Sequence, residues 1–190
     1  MSVPLAARQK DIQQFLQNNR IWLHQQVARI EKREFNHHQP LQCLPLWGMQ
    51  YPVEDVHDQR KAALTFNQNI GFSCINLTAE QRIEKLENLY RKQLQEAIDH
   101  WQRVWPPKMQ VVPTHIGIRK MHTKWGSCNI SRKRIWLALE LVKYPKECAE
   151  MVFVHELVHL LETHHTPRFY SLMTKFMPGW QRWDQILRET

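Results

Sequence analysis

The sequence predicts an α+β protein, and three observations support this class. Apolar residues recur at helical spacing over 5–32 and again over 78–105. Short strand-like runs separated by turn residues occupy 44–75 and 111–141. A strongly apolar segment, 146–163, follows the second group of strands directly and predicts a helix inside the core. We therefore expect a small antiparallel sheet packed on that helix.

The chain length bounds the organisation of the fold. A chain of 190 residues can bury one substantial core, or one core with an appendage. We predict two regions, 1–110 with the N-terminal helix, a β-meander and the long helix, and 111–190 with the second group of strands. No internal repeat or low-complexity linker separates them, so both should belong to one compact unit. The helix over 5–32 is expected to pack on this unit, and an oligomerisation arm is the alternative.

Composition excludes several classes of protein. No run of about 18 apolar residues exists, so no transmembrane helix and no membrane partner are expected. The N-terminus lacks the apolar core of a signal peptide, which favours a cytoplasmic protein. None of the four cysteines forms a C-x-x-C pair, so we expect free thiols at positions Cys43, Cys74, Cys128 and Cys148.

The region before residue 110 is predicted to hold a meander and a long helix. Strands at 51–56, 62–66 and 70–75 are most simply an antiparallel meander. Thr78 and Gln81 then have the spacing of a capping box. The helix that follows should end at Trp105, because two prolines come next.

The strands predicted at 111–123 and 134–141 enclose Trp125-Gly126-Ser127-Cys128. Residues 129–133 read as a polar turn, so the second strand should close a hairpin directly before the apolar helix. Gly126 permits a tight turn or a close backbone approach. Taken alone, the motif favours a turn glycine beside a packed tryptophan.

The apolar helix carries the pattern H-E-x-x-H at His155-Glu156-Leu157-Val158-His159. Residues four apart share a helix face, so both imidazoles can bind one metal ion. Glu156 cannot join them, but it can reach a water held by the metal. This is the arrangement of a zinc hydrolase with a glutamate general base. The alternative is a core helix whose histidines are satisfied by hydrogen bonds.

His165 is a third candidate ligand just beyond the expected end of that helix. Thr166 and Pro167 read as the N-cap and first residue of another helix, so the chain should turn back there. Three histidines and a water would leave one open position for catalysis. One zinc ion per chain is expected, although other divalent transition metals accept similar ligands.

These segments resemble the YgjP-like metal-dependent hydrolases, a zincin family related in pattern to the SprT-type metalloproteases. The resemblance covers about 44–187, and its matching residues are Trp125-Gly126-Ser127-Cys128, the run HELVHLLETHH from His155, Pro167-Arg168-Phe169-Tyr170 and Met177-Pro178. It implies a zincin-like metalloprotease core with His155, His159 and His165 as metal ligands. It also implies that Glu156 is the catalytic base and that 111–190 is the metal-binding, catalytic region.

The resemblance also implies positions for substrate contacts. It places Trp125, Gly126 and Ser127 beside the active site, on a strand edge along which an extended substrate could align. Arg168 could contact an anionic substrate, although an ion pair with Glu162 is the simpler expectation. Metzincins have a glycine where this chain has Glu162, so the metal helix is expected to continue and to turn near residue 163.

A long basic stretch precedes the metal helix. Residues 100–139 contain eight lysines and arginines and no acidic residue, in a chain of net charge +8. Such a surface steers anionic partners, or it is a solvated face without a ligand.

Three functions therefore follow in order of preference. The first is a metallopeptidase acting on peptides or proteins, and the second is a nucleoside triphosphate pyrophosphohydrolase that uses the same metal. The third is a DNA-associated, SprT-like protease, although no nucleic-acid reader motif is recognisable. A histidine that binds a metal through one ring nitrogen usually donates the N–H of the other to an acceptor, which orients the ring. Glu140 and Glu162 are the candidates for this acceptor.

Overall fold

A computed structural model of the chain describes residues 43–54, 70–71 and 78–189. All of these residues belong to one compact unit, residues 42–190. The helix expected over 5–32, the strand expected over 62–66 and Cys74 lie outside the described residues. The division of the chain at residue 110 stays a prediction.

The described part of the chain is α+β, which confirms the fold class. Its strands form two small sheets, and its helices lie mostly after them in the sequence. In chain order the elements are β1 (Cys43–Leu46), β2 (Met49–Glu54), β3 (Ile70–Gly71), α1 (Ala79–Met109), β4 (His115–Arg119), β5 (Gly126–Asn129), β6 (Arg134–Ala138), a 3-10 helix (Leu139–Lys143), α2 (Lys146–Val158), α3 (Pro167–Phe176) and α4 (Gln181–Arg188).

The first sheet has the order β1-β2-β3 and is not an antiparallel meander. β1 and β2 form a hairpin whose turn has positive φ at Trp47 and Gly48. β3, however, pairs with β2 in parallel, which corrects the expected topology. Parallel strands need a long crossover, and residues 55–69 are numerous enough to supply it.

Helix α1 begins as expected and ends one turn later than expected. The Thr78 hydroxyl and the Gln81 side chain cap each other's backbone N–H groups, which confirms the capping box. Pro106 and Pro107 lie inside the helix, so the predicted end at residue 105 was wrong. Prolines have no N–H to donate, but the carbonyls of Pro106 and Pro107 accept N–H groups from the two residues after the helix, at 3.1 and 3.2 Å.

The second sheet is mixed, with the order β4-β6-β5. β5 and β6 form the expected antiparallel hairpin. Because β5 occupies one edge of β6, β4 can pair only at the other edge, and it does so in parallel. The expectation of a wholly antiparallel sheet was therefore wrong. Regular strand also covers less sequence than expected, since β4 spans five residues and a 3-10 helix replaces the end of β6.

One face of this sheet packs against α2 and builds the core. Ile135 and Leu137 on β6 are fully buried, as are Phe153, Val154 and Leu157 on α2. Helix α2 is buried on nearly every side, as its continuous apolar sequence predicts. Burial of this kind is the main source of free energy that holds the helix in place.

Regular helical geometry in α2 ends at Val158, so the predicted extension to residue 163 was wrong. Turns follow, and Leu160 and Leu161 donate to carbonyls three residues earlier, at 3.0 and 2.8 Å. Helix α3 begins at the predicted N-cap Thr166, and the short helix α4 follows it. Cys43, Cys128 and Cys148 are free thiols. No helix within 78–189, where all described helices lie, is long and apolar enough to cross a membrane.

Candidate metal centre

Three histidines converge at the end of α2. His155 and His159 project from the helix, and His165 comes from the turn that precedes α3. Their candidate ligand atoms all lie within 4.8 Å of one another. The Nε2 atoms of His155 and His165 are 3.0 Å apart. The pattern-based prediction that all three could face one ion thus agrees with their placement.

The turn after α2 positions His165. The Thr166 hydroxyl accepts the Phe169 N–H at 3.3 Å and so caps α3, with Pro167 at its first position. The Thr166 N–H also donates to the His164 carbonyl at 2.8 Å. These bonds fix the direction in which the chain returns, and the return brings the third imidazole over the other two.

Phe169 contacts the whole histidine cluster, a role that the sequence analysis did not assign. Its ring centroid lies 4.8 Å from that of His155, 4.8 Å from that of His159 and 4.6 Å from that of His165. The side chain is fully buried. Phe169 lies in the first turn of α3, just after the turn that carries His165, so the cap at Thr166 places both rings together.

A backbone carbonyl fixes the tautomer of His159. Its Nδ1 lies 3.3 Å from the backbone carbonyl of Glu162, which can only accept, so Nδ1 carries the proton and Nε2 keeps its lone pair. The candidate Glu162 therefore acts through its backbone. Its carboxylate faces Arg168, and the carboxylate of the other candidate, Glu140, pairs with Lys143.

Burial favours the neutral form of His155 and His159. It lowers the pKa of His155 to about 3, and the charges of His159 and His165 act in the same direction. It also lowers the pKa of His159, with His165 as the second cause. Neutral imidazoles offer lone pairs to a cation at neutral pH, which is the protonation state that metal binding requires.

Glu156, the residue after His155, is buried and faces β5. Only 6% of its surface is exposed, and this burial raises its pKa to about 8, against the opposing effect of Lys124. A Cβ atom on Gly126 would lie 2.5 Å from Glu156 Oε1 and 2.8 Å from Val152 Cγ1. Only a glycine at this position lets β5 approach the carboxylate so closely.

Gly126→Ala is expected to displace the Glu156 carboxylate. Overpacking of this kind should cost about 1–3 kcal/mol of stability. A displacement near 1 Å should lower activity by about 100-fold while zinc affinity changes little. Gly117→Ala is the matched control, because its Cβ would meet Trp136 at 2.5 Å on the same sheet but away from Glu156. Equal activity losses in the two variants, measured on folded protein, would contradict this role for Gly126.

The donor set fits a transition metal ion. In a tetrahedral site with Zn–N bonds of about 2.0–2.1 Å, ligand nitrogens lie roughly 3.3 Å apart. The two Nε2 atoms at 3.0 Å match this spacing. Such a close approach of neutral imidazole nitrogens is costly without a proton or a cation between them.

The model of the family described as YgjP-like, metallopeptidase domain, matches residues 1–190. The chain belongs to the YgjP-like family. Family membership together with the histidine triad identifies a metallopeptidase-like, metal-dependent hydrolase.

A solved structure is also similar to part of this chain. One solved structure, the metallopeptidase zymogen abylysin from Pyrococcus abyssi, shares 18% sequence identity with a TM-score of 0.42. That alignment covers 50% of this chain and 93% of abylysin. Among proteins with curated functions, none matches the sequence.

The other residues expected at the site of this YgjP-like protein occupy different environments. The Trp125 indole donates to the Leu187 carbonyl at 3.3 Å and packs edge-on against Tyr144. Ser127 pairs with Trp136 in the β5–β6 ladder. The exposed Arg168 side chain lies 3.7 Å from the Glu162 carboxylate, as the simpler expectation had it. Substrate contacts by Trp125, Gly126, Ser127 or Arg168 stay predictions.

Proposed function

We propose that this chain is a zinc-dependent metallopeptidase in which His155, His159 and His165 bind the metal and Glu156 is the general base. The observation that carries the proposal is the convergence of three imidazole nitrogens within 4.8 Å of one another. His155 is followed directly by the buried Glu156, and the chain belongs to a metallopeptidase family. A structural zinc site would instead use four protein ligands and would not need that carboxylate.

The metal, Glu156 and Phe169 would have different roles in the proposed reaction. A bound zinc ion would polarise the scissile carbonyl and make a water more acidic. Glu156 accepts the proton of the attacking water and then delivers it to the leaving nitrogen. Burial raises the pKa of this carboxyl, which makes the ionised carboxylate a stronger base than a solvent-exposed glutamate. Phe169 closes the other side of the histidine cluster and keeps its rings in place.

Strand β5 offers a place for an extended peptide. It is the outer strand of the described sheet, next to Glu156. The Ala138 N–H donates to the Trp125 carbonyl at 2.8 Å, so these two residues form a hydrogen-bonded pair. Antiparallel pairs alternate, and the N–H and C=O groups of Gly126 and Cys128 therefore point away from β6. A substrate strand could bond to these groups and bring its peptide bond to Glu156.

The positions of the basic residues support nucleotide hydrolysis less well than peptide hydrolysis. Arg119 and Arg134 alternate with the core-facing residues of β4 and β6, so they project from the face that points away from α2. A triphosphate at the histidine cluster would not reach them. Lys124 acts electrostatically on Glu156 and is the basic residue of the stretch with an evident influence on the site.

The two activities can be separated in one experiment. Zinc-loaded protein would be tested side by side on a denatured protein substrate and on a panel of nucleoside triphosphates, with Glu156→Gln as the control. We expect cleavage of the unfolded protein, lost in the variant, and no nucleotide turnover above background. Nucleotide hydrolysis that depends on Glu156, without peptide cleavage, would overturn the peptidase proposal.

A further inference from the structure

Basic side chains surround a tryptophan on the face of the second sheet that points away from α2. His115 and Arg119 come from β4, and Arg134 and Trp136 come from β6. Side chains alternate along a strand, and Ile135 and Leu137 are fully buried on the opposite face. The three basic residues are exposed and Trp136 is half-buried. We call these four residues the basic face.

The Arg119 guanidinium lies over the Trp136 ring on this face of the sheet. The guanidinium carbon of Arg119 lies 3.5 Å from the centroid of the Trp136 ring. The His115 ring is tilted against the same indole, at 4.7 Å between centroids. A Cβ on Gly117 would lie 2.5 Å from Trp136 Cζ3, so a glycine is needed beneath the indole. The guanidinium is thus held in one orientation before any ligand arrives.

No carboxylate neutralises this stack within the described part of the chain. Neither Arg119 nor Arg134 has an acidic partner there, whereas the nearby Lys120 pairs with Glu87. The sequence from 100 to 139 contains no acidic residue. Two further cations, Arg132 and Lys133, lie in the adjoining β5–β6 turn. The net field of this surface is positive and attracts polyanions.

The turn next to the basic face is rigidly built. The Asn129 side chain accepts the Arg132 N–H at 2.9 Å and the Ser131 hydroxyl at 3.0 Å. The Thr114 hydroxyl donates to the Arg132 carbonyl at 2.6 Å. These bonds fix the backbone from which Arg132 and Lys133 project, at the end of the sheet where β6 begins. Cations therefore extend the surface beyond the Arg119–Trp136 stack.

We infer that the basic face binds single-stranded nucleic acid. Arg134, Arg132 and Lys133 would contact successive phosphates, and an unpaired base would stack on the outer side of the Arg119–Trp136 pair. A duplex hides the faces of its bases and could use the cations alone. An acidic peptide would likewise use the charges but not the stack. The combination of a planar stacked guanidinium with neighbouring cations thus fits an unpaired nucleotide chain.

The test measures binding of a labelled oligothymidylate by fluorescence anisotropy. A length of about 12 nucleotides lies within the usual site sizes of roughly 4–16 nucleotides. We expect Arg119→Gln and Trp136→Leu each to weaken binding by about 5- to 100-fold, the usual effect of losing one stacked base. The double variant should be little weaker than either, because both residues build one stack. Arg134→Gln should reduce the slope of log binding constant against log salt concentration by about 0.7, which corresponds to one phosphate contact.

Arg182→Gln is the matched control for Arg119→Gln. Arg182 also stacks on a tryptophan, 4.2 Å from the Trp183 ring, but on α4 instead of the sheet. If both arginine variants weaken binding equally, only net charge matters and the inference fails. Equal binding of a duplex, or equal competition by polyglutamate at matched charge, would also overturn it. Peptide cleavage by these variants should stay at the wild-type level, so the outcome is independent of the proposed peptidase function.

Discussion

Glu156→Gln should abolish hydrolysis while leaving the metal in place. The amide keeps the shape of the buried side chain, which contacts β5 at Gly126. It cannot accept a proton from water, however, and the loss of a general base typically costs about 10²- to 10⁴-fold in rate. We expect a fall of this size in kcat/KM for a denatured protein substrate. Zinc content per chain, measured on the same preparation, should remain unchanged.

The paired measurement is what makes this variant informative. Loss of activity together with loss of zinc would show that Glu156 supports the fold or the metal instead of the reaction. Full activity with zinc bound would mean that another group accepts the proton. A chemical contribution from Glu156 requires activity to fall while metal content and thermal stability stay close to wild type.

Removal of a single histidine should disrupt metal binding. The three rings form a nearly equilateral triangle, with the His155 centroid 5.0 Å from those of His159 and His165, and these two 4.9 Å apart. His155→Ala removes one of three protein ligands. Because even the loss of a residue behind a ligand weakens binding by about 10- to 100-fold, we expect more than about 100-fold here. Zinc affinity can be measured by competition with a chromophoric chelator.

His164→Ala provides the matched control for this variant. His164 is exposed in the same turn, next to His165 in sequence, but it is outside the triad. We expect its zinc affinity to remain within about twofold of wild type, a small change for a surface substitution. Equal losses of affinity in both variants would mean that the histidines bind zinc from several sites instead of one.

Local sequence rules predicted the elements that carry the site. The spacing of His155 and His159, and the cap formed by Thr166 ahead of Pro167, depend on contacts between residues three or four apart. The structure places these groups as expected, with His165 brought to the other two histidines. The capping box at Thr78 was predictable for the same reason.

Long-range pairing could not be predicted in the same way. Nothing in the residues of β4 shows that it will pair in parallel with β6 instead of antiparallel with β5, because both pairings bury the same face. The close approach of Gly126 to Glu156 likewise depends on how the sheet packs on α2. The sequence alone allowed two roles for Gly126, in a tight turn or in a close backbone approach. The structure supports the close approach.

The end of α2 illustrates the competition between propensity and tertiary structure. Leu160, Leu161 and Glu162 are good helix formers, and the pattern therefore predicted a longer helix. Turns form instead, and the carbonyl of Glu162 accepts the proton of His159 Nδ1. A straight helix would carry its next turns away from His159, so an early end allows His165 to return to the cluster.

X-ray absorption at the zinc edge tests the central claim most directly, since it counts the ligands of the bound ion. The account predicts three nitrogen ligands at about 2.0–2.1 Å plus one oxygen in the zinc-loaded protein, and two nitrogens in His165→Ala. Cys128 lies on β5, but its thiol does not belong to the convergent group of ligand atoms, so no sulfur ligand is expected. A sulfur ligand near 2.3 Å, or a spectrum unchanged in His165→Ala, would contradict the three-histidine site.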